Sequence, residues 1–401
     1  MSVWGPSTAT GAVSAQLRGR IINVDRELSD GERASWASLA ARAVEPNPFH
    51  EPACVTAAAK HLPDGGAVKV AVVEDETGFL ACLPFQHVRS GSRHLPAVSY
   101  EIATSRVRRM NYLGIPLIDP TGGVEAMVKL LETLADECRR AGSYFAELWD
   151  VAAGGPADIL LNDAAAILGL PLVTVDSFDR GILVRGDDTG IEWHNAKTMR
   201  ELRRKQRRLE RALGDPIVLL DRSDIQAIEE YIQLEASGYK SDTGVAMDMF
   251  AGEPEYFTEM CRSFAAEGRL HMFTLGSASR TAAMGGMIDA GGSAFMFKWS
   301  YDAEFAKHSP GWQLHEAIID QFRTTGTAAM LDTCTGGHNG FVFSTYPSRR
   351  TMNRYHLVVH DKLRQRMWVR FVDETRGMRG RLSKLASLAH KPPQGYRAPG
   401  S

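Results

Sequence analysis

The stretch FKWSYDAEFAKHSPGWQLHEAII, Phe297 to Ile319, leaves an alternating aromatic run, crosses Ser309-Pro310-Gly311 and enters a helical pattern. Leu314, Ile318 and Phe322 recur every four residues with Ile319 beside them, which predicts one apolar helix face. Proline suits the first helical turn because its missing N–H would have no partner there. Ser309 is the expected N-cap. A tight turn and a capped helix would account for an isolated Ser-Pro-Gly. Glycine at 311 also lacks a Cβ, so an anion could reach the amides at the positive end of the helix dipole. Lys298 and Trp299, in the strand just before, give that second reading its context.

Working outward, the same order of elements occurs twice. VKVAVVEDETGFLACLPFQHVR (68–89) and LHMFTLGSASRTAAMGGMIDAGG (270–292) each alternate, turn and alternate again, as hairpins do. RRMNYLGIPLID, GGVEAMVKLLETLADECRRAG and YFAELWDV follow the first hairpin; AFMFKWSYDAEFA, PGWQLHEAIIDQFRTTG and AAMLDTCT follow the second. Both halves read helix, hairpin, strand, helix, strand. We expect an α+β fold of two tandem modules, each a mixed β-sheet flanked by helices. The expected division is a disordered tail at 1–18, modules at 19–180 and 181–348, and a basic extension at 349–401. The Asp- and Gly-rich stretch at 174–195 is the expected seam. Neither GxGxxG nor GxxxxGK[ST] occurs, so the usual nucleotide-loop signatures are absent.

The bulk properties exclude more than they select. The chain has 401 residues, long enough for two cores, with 44% hydrophobic and 23% charged residues and a net charge of −2. That charge offers no global attraction to nucleic acid or anionic membrane. Five scattered cysteines without a CxxC pair argue for a reducing compartment and against a zinc knuckle or disulfide framework. The N-terminus lacks a signal-peptide pattern, and no apolar run of membrane-spanning length occurs. A cytoplasmic protein is expected, with peripheral contact to an inner membrane as an option.

Four segments, in order, resemble the acetyltransferase-6 group of the GNAT superfamily, the CelD/BcsL-like proteins. They are NPFHEPA (47–53), MRELRRKQRRLERALG (199–214), LEASGYKSDTGVA (234–246) and WSYDAEFAKHSPGWQLHEAIIDQFRTTGTAAMLD (299–332). The architecture also resembles that of the Fem-type aminoacyl transferases. The resemblance implies a GNAT-like fold in both modules and acyl-CoA as co-substrate. Its pyrophosphate would lie on backbone amides where Ser309, Gly311 and Trp312 fall, with Lys298 nearby. The stretch DTCTGGHNGFVFSTYPSRRTMNRY lacks the D-x-x-Y-K that commonly follows the last core strand, so that Tyr–Lys pair is not carried over.

The candidate catalytic residues are His308, Tyr239 and Asp332, and the candidate acceptor contacts are Trp299, Tyr301 and Lys240. His308 titrates near working pH. Glu235, Tyr239 and Lys240 fall within two helical turns, placing a carboxylate beside a phenol and an amine. Asp332 ends a strand aimed at the same region. In GNAT enzymes a positioned amine and a thioester polarised by a backbone amide often suffice without a universal base. Cys334 with His338 is read as chance adjacency, and His356 with His360 has helical metal spacing without a zincin glutamate, so no metal is expected. Two basic stretches remain. Lys197 to Arg211 holds eight Lys/Arg against two Glu, and Arg349 to Lys391 twelve against three Asp/Glu. A solvated face is the first expectation; a cofactor phosphate or an anionic lipid surface would also suit them, and nucleic acid is not expected as a partner because no aromatic RNA-binding signature accompanies the cations. The expected activity is acyl transfer from acyl-CoA to an amine or hydroxyl of a lipid-related or envelope saccharide acceptor. The alternatives are a Fem-type transfer from aminoacyl-tRNA and a non-catalytic binding module that kept the fold.

Overall fold

The computed structural model describes residues 16–25, 28–92, 95–105, 113–186, 196–335, 346, 348–360 and 370. The first module runs β1 (Arg18–Asn23), α1 (Asp30–Arg42), α2 (Pro52–His61), β2 (Val68–Asp75), β3 (Gly78–Ser92), β4 (Leu95–Thr104) and β5 (Leu117–Ile118). It continues through α3 (Gly123–Arg140), β6 (Phe145–Ala152), α4 (Pro156–Leu168) and β7 (Leu172–Val184). The second runs α5 (Ala196–Leu213), β8 (Val218–Arg222), α6 (Ile225–Ser237), α7 (Tyr239–Asp242), α8 (Glu253–Ala266), β9 (Leu270–Gly276), β10 (Thr281–Ala290) and β11 (Ser293–Tyr301). It ends with α9 (Pro310–Thr324), β12 (Met330–Asp332) and β13 (Ser348–Val358).

The strands form one sheet in the order β1-β2-β3-β4-β6-β13-β7-β12-β11-β10-β9-β8, with β5 added on β3. Both hairpins form as their alternation predicts. Each module has one parallel pair, β4 with β6 and β11 with β12, joined through α3 and α9. The fold is therefore two tandem GNAT-like modules of α+β type, as the repeated order implies.

The modules exchange their last strands. β7, from the first, pairs with β12 of the second, while β13, from the second, pairs with β6 of the first. β7 and β13 then pair with each other over ten registered positions at the centre of the sheet. The expected boundaries at 180/181 and 348/349 consequently fall inside β7 and β13. The supposed seam at 174–195 is strand as far as Val184, because its Asp residues alternate with β-forming ones and Asp176 and Asp179 stay at the surface. His356 likewise lies on β13, so the spacing to His360 is not that of a helix face. Residues 1–15 of the tail, His338, and residues 361–369 and 371–401 of the basic extension lie outside the described residues.

Helices cover both faces. On one, Trp36 and Leu39 of α1, Val55 and Ala58 of α2, Ile228 and Tyr231 of α6, and Phe257 and Met260 of α8 share a core that runs across both modules. On the other, α3 and α4 pack over the first module, and Leu314, Ile318 and Phe322 of α9 over the second, in separate cores. Burying each such large side chain contributes about 1.5–3 kcal/mol. α5 docks through Leu209 and Leu213 against Phe305 and Ala282, which leaves its cationic face outward. Among the described residues no helix is long and apolar enough to cross a membrane.

Candidate active site

β11 leads directly into the site. It pairs with β12 only at Ser293–Met330, Ala294–Leu331 and Phe295–Asp332, after which β12 ends and β11 runs on to Tyr301. The two parallel strands open into a cleft there. A bulge at Phe297, opposite the Gly286–Met287 step of β10, changes the facing of the residues that follow. Beyond it Trp299 and Tyr301 pack toward α9, whereas Lys298 reaches Glu235 of α6.

The chain then makes a tight 3-10 turn over Ala303–His308, begun by Asp302, whose side chain accepts from the Glu304 N–H. Ser309 follows with φ 53° and ψ 54°, and Pro310 opens α9. A proline disfavours the right-handed helical region for the residue before it, so the helix cannot extend back through Ser309. The expected side-chain cap is absent: Ser309 Oγ accepts instead from Lys205 Nζ of α5 at 2.8 Å. The N–H groups of Trp312 and Gln313 both turn back to the Ser309 carbonyl, at 3.1 and 3.2 Å. The Gly311 N–H, next to a proline that has none, makes no bond within the helix, as expected of a first-turn amide. Arg208, Lys205 and Lys307 surround His308, which is 8% exposed. Its pKa is lowered by desolvation and by these three cations, so the imidazole is neutral at neutral pH.

Gly311 has a packing reason as well as an electrostatic one. An added Cβ would stand 3.1 Å from Trp299 Cζ3 and 3.3 Å from Tyr301 Cδ1. The space that glycine keeps open is filled by these rings, so its role is to seat α9 on β11. Trp312 is tied to its own helix, its indole Nε1 donating to Glu316 Oε1 at 3.1 Å.

On the opposite face, Lys240 and Lys298 converge on Glu235, at 2.7 and 3.1 Å from its Oε1. Burial would raise the Glu235 carboxyl, but the two ammonium groups hold it below its ordinary value. Burial lowers Lys240, and Lys298 adds to that, with Glu235 opposing. Asp332 is wholly buried at the seam, its Oδ1 accepting from the Cys334 N–H at 2.7 Å. Arg180 and Arg350 flank it at 3.7 and 3.6 Å; Arg180 also donates to Asp150, and Arg350 pairs with Glu45. Cys334 is buried and its thiol is pushed well up, which keeps it protonated.

The structure thus gathers His308, Ser309, Gly311, Trp299 and Tyr301 around one helix start, with Trp312 beside them. It joins Lys298 and Lys240 through Glu235 on the other side of β11, and holds Asp332 in the seam's ion network. Tyr239 opens α7; its side chain lies outside the described residues. Sequence reasoning missed Lys205, Arg180 and Arg350. The run of eight cations on α5 was a signal, but only packing shows which of them turns inward. Among the described residues no cluster suited to a metal ion occurs.

The corresponding place in the first module is built differently. At the start of α3, Asp119 accepts from the Thr121 N–H at 2.7 Å, its carbonyl takes the N–H groups of Gly122 and Gly123, and Arg42 pairs with its carboxylate. That helix start carries its own anion.

A model of the Acetyltransf_6 family, described as an acetyltransferase (GNAT) domain, matches residues 196–341. No curated protein matches the chain by sequence. Among solved structures, FemX is similar in fold, with 8% identity and a TM-score of 0.53 over 83% of this chain and 96% of that one. The C-terminal domain of a putative lysylphosphatidylglycerol synthetase from Agrobacterium fabrum has 13% identity and a TM-score of 0.51 over 83% and 93%. A conserved protein of unknown function from Bacteroides thetaiotaomicron has 12% identity and a TM-score of 0.51 over 83% and 98%. The span that matches an acetyltransferase (GNAT) domain, residues 196–341, includes α9 and the opening between β11 and β12.

Proposed function

We propose that the protein transfers an acyl group from acyl-coenzyme A, held at the start of α9, to an amine or hydroxyl of an acceptor between the two modules. The observation that carries this is the contrast between two helix starts. Before α3 the carboxylate of Asp119 occupies the turn and is paired with Arg42, whereas at α9 the Lys205 ammonium reaches the hydroxyl of Ser309, the residue before the helix. A diphosphate fits that donor set, because amides at a helix start and a charged amine are both strong donors to phosphate oxygens.

Acyl-CoA would supply the activated thioester, and the remaining work belongs to the chain. Lys205, Gly311 and the left-handed turn at Ser309 would bind and orient the phosphates. Trp299 and Tyr301 would line the route from them to the opening between β11 and β12. The free edge of β11 beyond Phe295 would present backbone N–H groups to the carbonyl oxygen that gains charge. The proton of the attacking group would pass to solvent, since a positioned nucleophile and a polarised thioester can suffice. A lipid-related or envelope saccharide acceptor remains the preferred class.

A second reading is aminoacyl transfer of the Fem type from charged tRNA. The fold likeness to FemX over 83% of the chain and the exposed cations of α5 favour it. Titration calorimetry separates the two. Micromolar binding of coenzyme A supports the first, and binding of charged tRNA with no response to coenzyme A replaces it with the second.

A further inference from the structure

Glu235 is wholly buried and accepts four hydrogen-bond donors. Lys240 donates at 2.7 Å, Lys298 at 3.1 Å, the Tyr231 hydroxyl at 3.2 Å and the Met247 N–H at 2.9 Å. The lysine side chains are 14% and 12% exposed, and among the described residues neither pairs with a second carboxylate. Two cations therefore share one anion in a largely dehydrated place. An uncompensated buried charge is costly, so such an arrangement favours a further anion.

A second observation points the same way. Ser300, also wholly buried, has no hydrogen-bond partner for its Oγ among the described residues. It stands two residues from Lys298 and faces the end of α6, where a Cβ added to Gly238 would lie 3.6 Å from that Oγ. Two ammonium groups and an unused hydroxyl are the donors that carboxylate or phosphate oxygens require.

We propose that the acceptor carries an anionic group, a carboxylate or a phosphate, received by Lys298, Lys240 and Ser300. Glu235 is the positioning residue that holds the two ammonium groups. Lys298 stands three residues beyond Phe295, where β11 and β12 stop pairing, so the anion sits at the mouth of the opening. The coenzyme phosphates lie on the α9 side of β11 and the acceptor's anion on the α6 side, which leaves the nucleophile between them. This placement rests on the acyl-transfer reading; the anion site itself does not.

Calorimetry on the full-length protein, with coenzyme A saturating the α9 site, tests it with matched probes. Phosphoethanolamine is compared with ethanolamine, and alanine with alaninamide. In at least one pair the probe that carries the phosphate or carboxylate is expected to bind about tenfold or more tightly than the amine that lacks it, a difference of about 1.4 kcal/mol. Preference in the first pair assigns a phosphate and in the second a carboxylate. Lys298→Gln and Lys240→Gln should each abolish the preference and Lys298→Arg retain it, with coenzyme A affinity within about twofold throughout. Equal binding within both pairs, no binding by any probe, or a preference that survives both glutamine variants overturns the proposal. The wild-type comparison decides even where a variant fails to fold. Should coenzyme A not bind, the acyl-CoA reading fails alone; the same titration without it, with Lys205→Gln as the control for the α9 site, still tests the anion site.

Discussion

α3 and α9 each connect the two strands of a parallel pair, one in each module of a single sheet, but α9 follows β11 through one tight turn whereas β5 stands between β4 and α3. Before α3 the Asp119 carboxylate takes the Thr121 N–H, its backbone carbonyl takes those of Gly122 and Gly123, and Arg42 pairs with the carboxylate. Around α9 a left-handed serine turns its hydroxyl to Lys205, and no described carboxylate takes the position of Asp119. The same architecture can therefore stabilise a helix start with its own side chain or leave it for a ligand. The first module fills the approach to its helix with its own carboxylate; in the proposed acyl transfer the second receives a ligand there.

The strongest way to break the comparison is to write the α3 solution into α9. Ser309→Asp should be tolerated, since aspartate is among the few residues that adopt the left-handed region readily. Its carboxylate would pair with Lys205 and repel phosphate. Coenzyme A affinity should fall about a hundredfold, roughly 2.7 kcal/mol, with melting temperature unchanged or raised. Calorimetry and a thermal melt check both, and unchanged affinity in a folded variant would move the cofactor elsewhere. Gly311→Asp is a poorer test, because any side chain there strikes Trp299 and Tyr301 and disturbs the seating of α9.

Removing the cation alone should do less. Lys205→Gln keeps much of the stem's packing and loses a charge-assisted contact, which is worth about 1.5–3 kcal/mol. We expect affinity to drop by roughly 10- to 100-fold on that basis. A drop that disappears in high salt would mark a long-range field in place of direct contact.

The reverse experiment belongs to the first module. Asp119→Asn should cost about 1 kcal/mol at pH 7 through loss of the ion pair and part of the turn. The Asp119 carboxyl lies in a buried turn whose desolvation would raise it, yet Thr121 and Arg42 hold it below its ordinary value of 3.8. A depressed carboxyl contributes stability that is present above the unfolded value and lost as pH falls through the folded one. The difference between variant and wild type in urea unfolding should therefore close below about pH 3.8. Coenzyme A stoichiometry should stay at one per chain; a second site appearing would sharpen the claim that Asp119 alone blocks it.

The smallest effect is expected at His308. It stands among Lys205, Arg208 and Lys307, on the phosphate side of the site. His308→Gln should change kcat by less than about threefold, under roughly 0.7 kcal/mol. A large loss of kcat, with the alkaline plateau of the pH profile gone, would make His308 the base.

Much of this architecture is legible locally. Alternation marks the two hairpins, the four-residue spacing of Leu314, Ile318 and Phe322 marks α9, and Pro310 marks where it begins. These patterns depend on residues close in the chain, so no partner need be known. Ser309 shows where such reading ends, because its cap role was inferred from residue type, while its hydroxyl is bound by Lys205 of a distant helix and its backbone is left-handed. The strand exchange was hidden for a related reason. β7 and β13 look like a linker and the head of a basic tail, and nothing in an isolated strand states which neighbour it will pair with.

What the sequence determined by itself was the two hairpins, the repeated strand–helix–strand order after each and the start of α9, because short-range periodicity and backbone restriction suffice for these. Only the tertiary structure decided that Lys205 meets Ser309, that Glu235 gathers Lys240 and Lys298, and that β7 and β13 cross between modules. Each of those joins residues far apart in the chain, where the outcome depends on which surfaces bury one another.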